Sequence, residues 1–126
     1  MTSATWMILV AAVLPYLCAG AAKYGGKGYD NAAPRASLAQ LSGWRARADG
    51  AQRNGFEAFP PFAAAVLVAQ FAHAPQGWVD LLAAAFIVIR VLYSLVYVGG
   101  VAWLRSMLWA LGLLMVVLLF YAGAQA

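Results

Sequence analysis

Long stretches of this chain carry no charge. Thr5 to Ala22 has none, Trp78 to Val98 has only Asp80 and Arg90, and Val101 to Ala122 has only Arg105. A helix that crosses the apolar core of a bilayer needs about 20 such residues. Lipid offers no partner for backbone N–H and C=O groups, so the spanning segments must be helices. Hydrophobic residues make up 65% of the chain and charged residues 10%, against about 25% charge in a soluble domain. A soluble globule, a disordered chain and a disulfide-stapled secreted fold are thereby excluded. The expected fold is an all-α integral membrane protein, a four-transmembrane-helix bundle in one domain of 126 residues. Its expected spans are about 5–22, 55–73, 78–98 and 101–122.

The first block ends in small residues, Ala19-Gly20-Ala21-Ala22, as a signal peptide does. No basic residue precedes Trp6, however, so it reads as a retained span with an irregularity at Pro15. Ala74-Pro75-Gln76-Gly77 and Gly99-Gly100 are tight turns, which make spans two to four sequential antiparallel neighbours. The loop 23–53 holds Lys23, Lys27, Arg35, Arg45, Arg47 and Arg53 against Asp30 and Asp49. The positive-inside rule puts it in the cytoplasm and both termini outside, in the periplasm if the membrane is a bacterial inner membrane. Ser37 is a candidate cap for a helix running from this loop into span two. The net charge of +4 sets orientation and meets anionic lipid, and no nucleic-acid partner is expected. Cys18 is the only cysteine, so no internal disulfide forms, and no Cys/His spacing suits a metal.

Four charges lie outside that loop. Asp80 sits at the outer end of span three, where it reads as a solvated acid at a helix start. Glu57, Arg90 and Arg105 all fall in the cytoplasmic half. Arg90 is eight residues before Val98, about 12 Å along the helix. Intramembrane ionisable residues are costly and usually pair inside the bundle. Glu57 and Arg90 are expected to pair, either as an ion pair that fixes register or as ligand-binding groups.

Their neighbours extend the cluster. Arg53, Asn54 and Glu57 would share one helical face, and Arg90, Tyr93 and Tyr97 another. Arg105-Ser106 follows the Gly-Gly turn. The result is a polar pocket open to the cytoplasm, with arginines, an amide and two phenols. Arginine forks suit carboxylates, and an arginine beside a thiol or peroxide stabilises developing negative charge. Each tyrosine alone also fits an interfacial anchor, as Trp6, Trp78 and Trp103 do. Pro60-Pro61 leaves two helical carbonyls without donors, which either kinks the helix for packing or lines a wet cavity. Trp109 is deep enough to pack or to line the pocket. His73 reads as an end residue and Cys18 as a small packing residue.

The run Arg53-Asn54-Gly55-Phe56-Glu57-Ala58-Phe59-Pro60-Pro61-Phe62 resembles the signature of the MAPEG family, membrane-associated proteins in eicosanoid and glutathione metabolism. Asn54, Glu57 and Phe62 match it, and its proline is Pro60 or Pro61. A second resemblance is Arg90, Tyr93 and Tyr97 followed by Arg105-Ser106. The chain looks like a bacterial-type member. The resemblance implies a homotrimer with glutathione as co-substrate, bound between subunits in the cytoplasmic half. Asn54 and Glu57 would frame glutathione, Arg90 would pair with Glu57 or reach the peptide, and Tyr93 and Tyr97 would hydrogen-bond it. Arg105 would stabilise the thiolate as the catalytic residue. Arg47, Lys23 and Arg53 match or neighbour basic positions that reach its carboxylates. The family's arginine four residues before the asparagine is Gly50 here.

Three functions follow as expectations. The first is a glutathione-dependent membrane transferase or peroxidase acting on lipophilic electrophiles or hydroperoxides delivered from membrane lipid. The second is a protein of the same fold without glutathione catalysis, binding a lipid or another thiol. The third is a small four-helix exporter. Such exporters use a glutamate in the first span, and Thr5–Ala22 has no carboxylate.

Overall fold

The computed structural model describes all 126 residues, Met1–Ala126. Its elements are α1 (Ser3–Tyr24), α2 (Pro34–Ala39), α3 (Gly43–Phe71), α4 (Gln76–Gly99) and α5 (Ala102–Ala124). No strand is present. Helices α1, α4 and α5 are long and apolar enough to cross a membrane. The 29 residues of α3 carry five charges in their first half, yet this helix occupies the middle of the bundle and packs on α1, α4 and α5. Its second half supplies the fully buried Phe62, Ala65, Val66 and Ala69.

Helix α3 begins twelve residues before the expected second span, inside the segment read as loop. Gly50, Gly55, Pro60 and Pro61 do not interrupt it. Propensity is a weak prior when packing on three neighbours can offset each residue's cost. Ser37 does not cap it. Ser42 holds the N-cap position, and the Ser37 hydroxyl accepts from the Asp30 amide and donates to the Asp30 carbonyl instead.

Small residues set the helix spacing. Ala4, Ala11, Ala19 and Ala22 of α1 are buried, as are Ala48 and Ala51 of α3. Close approach of this kind is how helices associate in a solvent as apolar as they are. Pro15 lies within an uninterrupted α1, and its ring is seated at Gly55. A Cβ on residue 55 would lie 2.7 Å from Pro15 Cγ. Between α3 and α4 the Phe62 and Phe86 rings stack, with centroids 4.0 Å apart and planes within 5°.

Each end of the bundle is closed by polar groups. At the end carrying both termini, Asp80 Oδ1 accepts from the Ala4 amide of α1 at 2.8 Å and from Gln76 Nε2 at 2.8 Å. Asp80 is therefore more than a solvated acid at the start of its own helix. It caps a neighbouring helix, where unpaired amides and the helix dipole favour negative charge. Gln70 joins Gln76 to Thr2 in the same network. At the opposite end two arginines cap helix C-termini. Arg45 donates to the carbonyls of Ala22, Lys23 and Lys27, and Arg47 Nε donates to Val98 O at 2.8 Å.

The turn after α3 is a Schellman motif. Ala74 N–H reaches Ala69 O, and His73 N–H reaches Gln70 O. His73 occupies the left-handed position at φ 58°, which glycine adopts without cost. His73→Gly is expected to raise the thermal unfolding midpoint in detergent, by about 1 kcal/mol in stability. Asp80→Ala is expected to lower it by about 1–3 kcal/mol, the worth of a hydrogen bond to a charged group. An unchanged midpoint would remove Asp80 from the groups that hold α1 in place.

Candidate functional site

Two residues one turn apart on α3 receive two residues two turns apart on α4. Asn54 Oδ1 accepts from Arg90 Nη2 at 2.9 Å. Gly50 receives Tyr97, whose ring lies against the α3 backbone so closely that a Cβ there would fall 2.8 Å from Tyr97 Cζ. The helices are antiparallel, so the rising order on α3 meets the falling order on α4. This register fixes the face of α4 that carries Arg90, Tyr93 and Tyr97.

Along that face two rings lie between two cations, the second of them from α5. Arg90 Cζ lies 4.0 Å from the Tyr93 ring centroid. Tyr93 meets Tyr97 edge to face at 5.7 Å. Arg105, from the first turn of α5, lies with Cζ 4.7 Å from the Tyr97 centroid. A guanidinium over an aromatic face is attracted by the ring quadrupole. Arg90 and Tyr93 are buried, at 6% and 3% exposure, while Tyr97 and Arg105 are half-buried. The row therefore runs from the bundle interior to its surface at the end that carries the basic loop. Arg105 has no hydrogen bond from its guanidinium and no ion pair within the chain. It is held by the Tyr97 ring alone.

Beside this row α3, α4 and α5 enclose a cleft of about 200 Å³. Asn54, Glu57 and Arg90 form its polar end, and Phe86, Trp109 and Leu113 belong to its apolar wall. Trp109 is thus a lining residue. Pro61 also lines it. A proline at 61 supplies no amide to the Glu57 carbonyl one turn back, so that carbonyl is spared a helical partner where the cleft opens. No three His, Cys, Asp or Glu side chains come together anywhere in the fold.

The expected Glu57–Arg90 ion pair is absent. Arg90 bonds Asn54 instead, and Glu57 is exposed at the cleft mouth. Asn54 lies nearer the basic end than Glu57 and meets the buried guanidinium with a neutral oxygen, at less desolvation cost than a buried carboxylate. Arg53 also leaves the expected face. It pairs with Asp49 at 3.0 Å, which is the one salt bridge in the chain. Arg47 is held by its Nε at the end of α4, and Lys23 lies 5.4 Å from the Tyr29 ring in the loop. Structure thus unites Asn54, Arg90, Tyr93, Tyr97 and Arg105, adds Glu57 at the rim, and leaves Arg53, Arg47 and Lys23 outside within one chain. Gly50 was legible only as a departure from a motif. Its spacing of four from Asn54 puts it on the site face, but nothing in the sequence says which residue fills its place.

The MAPEG family model matches residues 3–125. The chain belongs to the MAPEG family. It is an integral membrane protein, and this family includes glutathione-dependent transferases and peroxidases. No curated protein and no solved structure matches the chain. For this MAPEG chain the Arg90–Asn54 bond carries a direct expectation. Asn54→Ala leaves a buried guanidinium short of its acceptor and is expected to cost about 3 kcal/mol. Glu57→Gln is expected to stay within about 0.5 kcal/mol. Denaturant titration in mixed micelles compares the two, and a larger loss at Glu57 would restore the ion pair.

Proposed function

We infer that this MAPEG protein is a glutathione-dependent membrane transferase or peroxidase acting on lipophilic electrophiles or hydroperoxides. The observation that carries this reading is Arg105, a cation with no counter-charge in the chain, in a row of rings and guanidinium groups whose other end, Arg90, lines a cleft with an apolar wall. A guanidinium there favours the thiolate over the thiol. The thiolate sulfur attacks an electrophilic carbon of a substrate that enters the cleft from the bilayer. A C–S bond forms, and the leaving group departs or a double bond takes up the proton. With a hydroperoxide the sulfur attacks the O–O bond, which gives an alcohol and a sulfenic acid. A second glutathione then releases water and the disulfide.

The remaining cations limit how one chain can hold the peptide. Arg53 is spent on Asp49, Arg45 on three carbonyls, and Arg47 partly on Val98. With these cations engaged inside the chain, glutathione carboxylates bound between subunits would draw on basic residues of a second copy, and the proposed assembly is a homotrimer. In this reading α3 is the fourth span. The basic loop and the site face the cytoplasm, and both termini face the other side, as the positive-inside rule directs. A bacterial inner membrane is the proposed location.

A second reading is favoured by one observation. An apolar groove of about 340 Å³ lies between α1, α3 and α4, lined by Leu14, Leu17, Cys18, Val91 and Leu95 among others. It has the chemistry of an acyl-chain site, and a protein that kept the fold to bind lipid would use it.

Saturating glutathione is expected to raise the thermal midpoint of the detergent-purified protein by mass action, about 2.7 kcal/mol at a hundred times Kd. Thiolate absorbance near 240 nm should appear on mixing and should be lost in Arg105→Ala with the fold retained. A midpoint moved by phospholipid and not by any thiol would select the second reading.

A further inference from the structure

We propose that Gly50 is a positioning residue for Arg105, acting through Tyr97. The consequence for chemistry rests on the thiol-transfer reading above, whereas the geometry does not. Three observations form the chain. A Cβ on residue 50 would overlap the Tyr97 phenol, falling 2.8 Å from Cζ and 2.9 Å from Cε1 as well as on the hydroxyl. Contacts of that length do not occur between real Cβ atoms and carbon, so the ring position exists only because residue 50 has no side chain. The same ring carries the Arg105 guanidinium at 4.7 Å. Arg105 has no other side-chain partner in the chain.

The ring is fixed from two sides. Gly50 gives it a flat backbone seat on α3, and Tyr93 meets it edge to face at 5.7 Å. Tyr93 in turn lies under Arg90, which Asn54 anchors. A side chain at 50 would displace the phenol from the position it holds under Arg105. The guanidinium would lose its platform and take up the many rotamers of an unheld arginine. Preorganised charge stabilises a forming anion because no reorganisation is needed when the charge develops. Gly50 therefore tunes how well Arg105 holds a thiolate without touching it. Helix propensity makes this informative, because glycine inside a helix is disfavoured relative to alanine, and here the cost accompanies a seat for Tyr97.

The test is a substitution cycle at 50 and 97 on the full chain in detergent, with three readouts. The first needs no ligand. Phenylglyoxal modifies exposed guanidinium groups, and peptide mass spectrometry gives the rate at Arg105. Gly50→Ala and Tyr97→Leu are each expected to raise that rate about threefold, the worth of one exposed cation–π contact. The double variant is expected to match Tyr97→Leu alone, since both changes remove one contact. The second readout is thermal. Gly50→Ala should lower the midpoint in the native background and raise it in the Tyr97→Leu background, where the overlap is gone. The third is the pH dependence of thiolate absorbance with glutathione. Gly50→Ala should move its midpoint upward while glutathione affinity changes by less than about threefold.

An unchanged Arg105 rate in both single variants, or effects that multiply in the double variant, overturns the proposal. Should Gly50→Ala fail to fold, an unchanged Arg105 rate in Tyr97→Leu, or a further rise in the double variant, still overturns the proposal. If the native protein forms no thiolate with glutathione, the glutathione reading fails, and the modification rates still decide the role of Gly50.

Discussion

A guanidinium buried among apolar helices is the constraint on which the centre of this fold depends. Arg90 is 6% exposed and sits in α4, a helix apolar enough to cross a membrane. Removing such a group from water costs several kcal/mol unless it is met by acceptors and polarisable faces. Asn54 supplies the acceptor and Tyr93 the face. To bring Asn54 there, α3 must run unbroken from the basic end into the core, although its composition argues for a loop over its first turns. The polar start of α3, the register of α3 against α4 and the position of the cleft all follow from housing this one charge.

The second organising device is the fitting of rings into glycine positions. Pro15 sits at Gly55, Tyr97 at Gly50, and the Trp44 ring crowds Gly25. Glycine in a helix is expensive in isolation, but a bundle with little hydrophobic drive between its helices gains from contact at short range. Each glycine here admits a neighbour that a methyl group would exclude. The same logic explains why Pro60 and Pro61 do not break α3. Where helices surround it, the lost amides weigh less than the packing that the unbroken helix allows.

Three of the long apolar helices and the turns between them were legible because they depend on composition and local pattern alone, whereas the segment 43–53 read as loop is the start of α3. Charge-poor blocks of the right length became α1, α4 and α5 within about two residues at each boundary. The site was legible in part. Arg90, Tyr93 and Tyr97 share a face by helical spacing, and Arg105 follows a two-residue turn, so sequence distance alone brought them close. The partner of Arg90 was not legible. Asn54 and Glu57 are three residues apart on one face of α3, and a small rotation of the helix decides which one meets Arg90. The capping roles of Asp80, Arg45 and Arg47 were not legible for a related reason, since helix capping across the bundle leaves no trace in the spacing of residues.

The sequence by itself determined that this chain is a helical membrane protein of the MAPEG family and that Glu57, Arg90 and Arg105, its few charges within apolar segments, fall toward one end of the bundle. That follows because the cost of charge in lipid acts on each residue separately. Only the tertiary structure decided that Asn54 rather than Glu57 satisfies Arg90, that Arg53 turns away to Asp49, and that Gly50 is the seat of Tyr97. Those are matters of helix rotation and of space between helices. A chain read one residue at a time carries neither.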